Sequence, residues 1–223
     1  MPGKRPLTGL CIAKYLTDKR RQLTLIFMKP AKVVSINDRA LENLKYIRET
    51  MERAGSFTAV PGWGGILMGV SALITAVVSG RLPTKNWWFA SWLAEAALAF
   101  AIGGWAMVQK AKAGNSPLLK GPGRKFALSL FPAMFAGAAV TVALYHSGYF
   151  ALMPGTWLLL YGVSIVTGGT FSVNVVPIMG LSFMALGVTA LFSPMEWANW
   201  FMAAGFGLLH IAFGTVIARR YGG

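Results

Sequence analysis

The sequence predicts an all-α membrane protein: a polytopic bundle of six transmembrane helices preceded by a cytosolic amphipathic helix. Hydrophobic residues make up 55% of the 223 residues and charged residues only 13%, about half of the roughly 25% found in soluble domains. Six apolar runs of about 20 residues follow one another from Gly62 to Ala218, and each is long enough to cross a hydrocarbon layer of ~30 Å as a helix. The runs lack the alternation of barrel strands, so we expect helices, which satisfy their own backbone hydrogen bonds in lipid.

Residues 1–35 are predicted to form a basic, disordered N-terminal tail. Arg20-Arg21 is similar to a twin-arginine signal, but the apolar stretch that follows, 23–28, has only six residues, fewer than the ~7–15 of a signal sequence. We therefore do not expect export. The composition changes at Met28, which motivates the hypothesis that Met28 is the true start of the protein.

Residues 36–54 are predicted to form a cytosolic amphipathic helix. Its apolar residues alternate in spacings of four and three, which places them in one stripe: Ala40, Leu44, Ile47, Met51 and Ala54. The segment carries four acids and four bases, so it differs from a strongly basic membrane-surface helix. Two interpretations stay open. The stripe packs on the cytosolic ends of the bundle, or it docks a second copy or a partner protein through Leu44, Ile47 and Met51.

The membrane domain is predicted over residues 61–220. The expected spans are 62–80, 87–109, 126–145, 149–171, 174–192 and 197–218. The connection between the second and third spans is the only long one. Since the connections are short, we expect no catalytic domain between the spans.

The distribution of Lys and Arg predicts the orientation. With the N-terminus in the cytoplasm, 19 of the 21 cations fall on inner segments, and only Arg81 and Lys85 fall on outer ones. This asymmetry follows the positive-inside rule and places both termini in the cytoplasm. Cations beside apolar spans meet anionic lipid head groups, so the net charge of +14 points to the lipid bilayer as a partner and not to nucleic acid.

Small residues recur four positions apart within the spans, a spacing that lets helices approach closely where lipid removes the hydrophobic force. The pairs are Gly65 and Gly69, Ala133 and Gly137, Ala203 and Gly207, and Gly214 and Ala218. They predict tight packing inside the bundle or, alternatively, a homo-oligomer interface.

A short motif recurs in the first and fourth spans. Pro61-Gly62 and the Gly-Val-Ser at 69–71 have counterparts at the same spacing in Pro154-Gly155 and in 162–164. An inverted repeat of three plus three spans, an architecture of many transporters, would show such a match. Residues 187–189 match nearly as well, which favours coincidence.

Glu95 is the one acid within a predicted span. An intramembrane carboxylate costs ~2.5–3.5 kcal/mol on insertion scales, which marks it as a candidate functional group. It would be either the protonatable site of a transporter or a hydrogen-bonded link between helices. His210, in the sixth span, is expected roughly 7–8 Å deeper than Glu95, so a direct pair would need tilt or a bridging water. Two histidines and one intramembrane acid at unrelated spacings predict no metal site and no cofactor.

The sequence has no phosphate-binding loop, no zinc-protease helix and no serine–histidine–acid set at one depth. It therefore predicts a non-enzymatic membrane component with a regulatory or scaffolding role. The alternative is a small proton- or solute-coupled transporter or channel that uses Glu95.

Two stretches, ENLKYIRETMERAGSFTAVPGWGG at 42–65 and PGTWLLLYGVSIVTGGTFSVNVVPIMG at 154–180, resemble a group of uncharacterised bacterial integral membrane proteins with six spans. The resemblance covers residues 28–223. It implies a location in the bacterial cytoplasmic membrane, but it implies no activity and no functional residues.

Overall fold

The computed structural model describes residues 36–54, 57–114 and 121–222, and the regular elements within these ranges are helices. The predicted tail at 1–35 and the hypothetical start at Met28 lie outside the described residues. Helix α1 spans Ile36–Ala54, the predicted bounds. It lies largely in a compact unit that ends at Glu49, and the remaining helices belong to a second unit that begins at Thr50.

Taken by itself, α1 presents its apolar stripe on its surface. Leu44, Ile47 and Met51 are 61%, 52% and 70% exposed, and Ala40 is exposed as well. The cytosolic location of α1 stays a prediction.

The second unit contains five helices that are long and apolar enough to cross a membrane. They are α2 (Gly62–Ser79), α3 (Lys85–Ala113), α4 (Gly121–His146), α5 (Met153–Gly169, with a preceding 3-10 turn, Phe150–Leu152) and α7 (Met195–Tyr221). A further apolar helix, α6 (Val175–Leu191), has 17 residues, about 25 Å at ~1.5 Å per residue. The described residues are therefore largely helical, with five helices of the length and composition of membrane spans, and α6 is short for a ~30 Å hydrocarbon layer.

The connection between α3 and α4 is shorter than predicted, because both helices continue beyond their apolar segments. Helix α3 extends to Ala113 instead of residue 109, and α4 begins at Gly121 instead of residue 126. Lys110 and Lys112 lie in the last turn of α3, where cations interact favourably with the helix dipole. The hydropathy of the sequence predicts only the apolar part of each helix. Both α3 and α4 continue as helices into the polar residues of the connection.

Helix α7 is not one uniform helix, which the apolar pattern did not predict. It opens with a 3-10 turn (Met195–Trp197), continues as an α-helix (Ala198–Met202), widens into a π segment (Ala203–Leu209) and ends as an α-helix (His210–Tyr221). Such π segments are rare in proteins overall, and those that occur often lie at functional sites.

Helices α2 and α7 pack with their backbones in near contact. A Cβ atom added to Gly69 of α2 would lie 2.6 Å from the carbonyl oxygen of Gly207, and one added to Gly214 of α7 would lie 2.8 Å from the carbonyl oxygen of Gly62. A Cβ at Gly65 would lie 3.3 Å from the Cα of Gly214. These small residues therefore pack inside the bundle in this structure.

Helices α5 and α6 form a second glycine-mediated pair. A Cβ atom on Gly162 would lie 2.7 Å from the carbonyl oxygen of Gly180, and one on Gly180 would lie 2.7 Å from the carbonyl oxygen of Gly162. Gly155 and Gly187 oppose each other in the same way, at 2.9 Å. On each of these helices the two packed glycines lie seven positions apart, a spacing that returns to the same helix face after about two turns. The same spacing separates Gly62 from Gly69 on α2 and Gly207 from Gly214 on α7.

Helices α3 and α4 lie at the periphery. Only four of the 29 residues of α3 and three of the 26 of α4 are buried. The predicted small pair Ala133 and Gly137 of α4 is half-buried, and a Cβ on Gly137 would meet only the side chain of Leu160, at an ordinary 3.7 Å. Large apolar side chains such as Phe100 and Phe131 are exposed, as expected for a lipid-facing surface.

A short extended segment before α2 is tied to the bundle. The backbone N–H of Phe57 donates to the carbonyl oxygen of Phe171 at 2.7 Å, and the hydroxyl of Ser172 donates to the carbonyl oxygen of Phe57 at 2.6 Å. Lys110 Nζ donates to the carbonyl oxygens of Val60, at 3.0 Å, and of Gly222. One side chain of α3 thus connects the entrance of α2 with the end of α7.

Candidate functional site

The first candidate group is the carboxyl of Glu95, which lies between α3 and α2. Its side chain is 6% exposed. Ser71 Oγ donates to Oε1 at 2.7 Å, and Thr75 Oγ1 donates to Oε2 at 3.0 Å. Ser71 and Thr75 lie four residues apart on α2, so their hydroxyls share one face. Both carboxyl oxygens therefore have donors on the neighbouring helix.

The second candidate group is His210, which opens the last α-helical segment of α7 directly after the π segment. Its Nδ1 lies 3.0 Å from the carbonyl oxygen of Phe206, and its Nε2 lies 2.8 Å from the hydroxyl of Tyr161 on α5. A carbonyl can only accept, so Nδ1 carries the proton. In the neutral ring, Nε2 then accepts the hydrogen bond of Tyr161.

Four aromatic rings surround this hydrogen bond. Tyr161, Phe183, Phe206 and His210 come from α5, α6 and α7, and their ring centroids lie 4.9 to 6.1 Å apart in all six pairs. Tilted and edge-on geometries predominate, as expected for aromatic pairs. We call these four residues the aromatic tetrad. It joins the glycine pair of α5 and α6 to the last helix.

Glu95 and His210 do not pair within the described residues, because the polar atoms of each are bound to other partners. The same ranges contain no group of three or more His, Cys, Asp or Glu side chains able to hold a metal ion.

A third polar cluster centres on Asn199, near the start of α7. Its Oδ1 accepts hydrogen bonds from Ser79 Oγ at 2.9 Å, Trp88 Nε1 at 2.7 Å and Trp92 Nε1 at 3.2 Å. Asn199 thereby links α2, α3 and α7 at the end of the bundle where α2 meets α3. A cavity of about 270 Å³ adjoins this cluster, lined by Ser79, Gly80, Leu82, Pro83, Thr84, Lys85, Trp88, Met195, Glu196, Ala198 and Asn199. Glu95 does not line it.

Sequence reasoning singled out Glu95 and His210 but missed their partners. Ser71, Thr75 and Tyr161 are ordinary residues of transmembrane helices, and hydroxyls of Ser and Thr usually bind their own helix backbone. Ser164, the counterpart of Ser71 in the recurring motif, does so: it donates to the carbonyl oxygen of Leu160 at 3.0 Å. The hydroxyl of Ser71 also lies 2.9 Å from a carbonyl oxygen of its own helix, that of Met68, but it reaches Glu95 as well. The two motif copies therefore differ in their polar contacts.

The packing of the two motif copies differs as well. Gly69 packs against α7, the last helix, whereas Gly162 packs against α6, the next helix along the chain. In an inverted repeat of three plus three helices, α2 would correspond to α5 and α7 would correspond to α4. Gly162 of α5 would then pack against α4, but it packs against α6.

These observations define the class of the chain: a helical membrane bundle whose buried polar groups bind one another. A scan against protein-family models, a search of curated proteins and a search of solved structures find no match to this chain. The resemblance to a bacterial membrane protein group stays a prediction.

Proposed function

We propose that this chain is a non-enzymatic scaffolding or regulatory protein of the bacterial cytoplasmic membrane, with six spans and both termini in the cytoplasm. The proposal makes α6 the sixth span despite its 17 residues, since a bilayer can thin locally around a short helix at a modest cost. The positive-inside asymmetry supports the orientation.

The observation that carries the scaffolding role is the exposed stripe on α1. Leu44, Ile47 and Met51 are each more than half exposed, although a helix of this amphipathicity normally buries its apolar face. Removing such side chains from water is worth about 1.5–3 kcal/mol each when burial is complete. Covering the stripe with a partner would therefore stabilise the complex.

A second copy of this chain is the partner that best fits the stripe. Alternating spacings of four and three are those of a coiled-coil seam, and the equal numbers of acids and bases on α1 avoid repulsion between two copies. The helix is too short for a stable coiled coil in solution. Anchoring two copies in one membrane raises their effective concentration and offsets this weakness.

Cross-linking of the full chain in membranes tests this role. In a Cys11→Ser background, Leu44→Cys should form a disulfide-linked dimer under mild oxidation, because position 44 lies in the seam. Lys45→Cys, on the polar side of the same turn, should give much less dimer. Equal cross-linking at both positions would reject the seam.

A charge substitution provides the second arm. Leu44→Asp with Ile47→Asp should abolish dimer formation, since it adds two negative charges to the stripe. Lys45→Asp changes the net charge by the same amount on the polar side and should leave dimer formation intact. If the wild-type chain is monomeric and captures a different protein through the stripe, self-association is wrong.

A second candidate function, a small proton- or solute-coupled transporter or channel, is favoured by the burial of Glu95 between two membrane helices. Purified protein in liposomes should then move protons or solute, and Glu95→Gln should stop this movement. Gln keeps an acceptor for one hydroxyl of α2, so the fold should persist. A change confined to thermal stability would leave Glu95 as a link between α2 and α3.

A further inference from the structure

We propose that the cavity beside Asn199 binds a zwitterion that joins an anionic phosphate to a primary ammonium, as in the head group of phosphatidylethanolamine. The cavity holds about 270 Å³, small for a drug-sized ligand but ample for a compact polar group. Its wall carries one cation, Lys85, and one anion, Glu196.

The two charges face one cavity from different elements. Lys85 is the first residue of α3, and Glu196 lies in the 3-10 turn that opens α7. Within the described ranges, neither side chain forms an ion pair or a side-chain hydrogen bond. Both side chains are exposed and can therefore move to contact a ligand. Lys85 would bind the anionic group of the ligand, and Glu196 would bind its cationic group.

Asn199 adds a donor of fixed orientation. Three N–H or O–H donors converge on its Oδ1, which settles the direction of the amide, because an amide oxygen accepts and its nitrogen only donates. The Nδ2 atom then points along Gly80, where an added Cβ would lie only 3.3 Å from it. Gly80 and Asn199 both line the cavity, so Nδ2 supplements Lys85 as a donor to an anion.

The surroundings favour a lipid as the source of the zwitterion. Trp87, Trp197 and Trp200 flank the cavity in sequence and are 62%, 56% and 77% exposed. Exposed tryptophans are typical of the level of the lipid head groups. A head group at this level would place its phosphate near Lys85 and Asn199 and its ammonium near Glu196.

Competition between lipids tests the proposal. The full chain in detergent is given equimolar phosphatidylethanolamine, phosphatidylcholine and phosphatidylglycerol with identical acyl chains, and retained lipids are counted by native mass spectrometry. Phosphatidylethanolamine should be preferred about fivefold, the scale of one partly exposed ion pair. The quaternary amine of phosphatidylcholine cannot donate to Glu196, and phosphatidylglycerol has no cation. Equal retention of the three lipids in the wild-type chain would overturn the proposal.

Variants locate the site. Glu196→Gln should remove the preference, and Lys85→Gln should lower the retention of all three lipids, because each carries the phosphate. Arg81→Gln, which removes a cation of the same connection outside the cavity lining, should change neither. A preference that survives Glu196→Gln would also overturn the proposal. Soluble phosphoethanolamine, added as a competitor, distinguishes the sources: full displacement of the lipid at millimolar concentration supports a soluble zwitterion, and no displacement supports the lipid.

Discussion

The glycine-packed helix pairs, α2–α7 and α5–α6, differ from the peripheral helix α3 in the space beside their glycines. A methyl group added to a glycine would meet backbone atoms in the pairs, but on α3 it can lie in open space. At Gly187 of α6, an added Cβ would lie 2.5 Å from the backbone nitrogen of Leu159 and 2.9 Å from the carbonyl oxygen of Gly155. At Gly104 of α3, the same atom would have nothing within 4 Å. Both glycines lie inside apolar helices, so the sequence context does not separate them.

The difference shows where the specificity of this fold is concentrated. In lipid, helices gain little from burying apolar side chains against each other, so close backbone approach and interhelical hydrogen bonds must select the partners. The α2–α7 and α5–α6 pairs have the close approach. Helices α3 and α4 instead contact the bundle through side chains. Trp88 of α3, for example, stacks on Trp157 of α5 with ring centroids 5.8 Å apart, and Glu95 of α3 accepts its hydrogen bonds from α2.

The largest expected effect comes from a methyl group placed between α5 and α6. Gly187→Ala should lower the free energy of unfolding by about 1–3 kcal/mol, because the atoms it meets are backbone and cannot rotate away. Gly104→Ala is the matched control and should be neutral or up to ~1 kcal/mol stabilising, since Ala is the better helix former. Unfolding in mixed micelles with increasing denaturing detergent measures both. Equal effects at the two positions would contradict the distinction between the pairs and the periphery.

An effect of the same order is expected from loss of the hydrogen bond inside the aromatic tetrad. Tyr161→Phe keeps the ring contacts but leaves the buried Nε2 of His210 without its donor, which should cost about 1–3 kcal/mol. Tyr149→Phe removes a hydroxyl from a side chain that is 61% exposed and should stay within ~0.5 kcal/mol. The same unfolding assay compares the two variants. A loss no larger than that of Tyr149→Phe would show that the buried hydrogen bond adds nothing to the joint between α5 and α7.

The smallest effect is expected on the lipid-facing surface of α4. Phe131 is 65% exposed and, among the residues that the structure describes, stacks only on Phe135 of its own helix, with ring centroids 6.0 Å apart. Phe131→Ala should therefore change the free energy of unfolding by no more than ~0.5 kcal/mol. A loss of several kcal/mol, or a change in oligomeric state on a sizing column, would reveal that α4 is an interface.

The positions of the helices were largely predictable, because apolar length and short polar connections determine where a helix suits lipid. Their ends were less so: Lys110 and Lys112 continue α3 although hydropathy excludes them. Helix α6 lies within its predicted range of 174–192 but, at 17 residues, is short for a ~30 Å hydrocarbon layer. The six-span count stays a prediction.

The candidate site was predictable only in part. A carboxylate in an apolar run draws attention to Glu95 because its cost in lipid is known. Its partners depend on how α2 and α3 rotate against each other, and a single hydroxyl on a helix face carries no information about that rotation. The same holds for Tyr161 and His210, which lie 49 residues apart in the chain. The role of Leu44, Ile47 and Met51 in docking a partner stays a prediction.

The π segment of α7 has a consequence for sequence variation. A π turn accommodates an extra residue relative to an α-helix, so deletion of a single codon within 203–209 would restore regular α geometry. Because the π turn absorbs that extra residue, the deletion would leave Gly214 facing Gly62 and Ile66, whose backbone atoms an added Cβ would meet. Deletion of one residue should therefore disturb the packing of α2 and α7 less within 203–209 than in the α-helical segment that follows, where each lost residue turns the rest of the helix by about 100°.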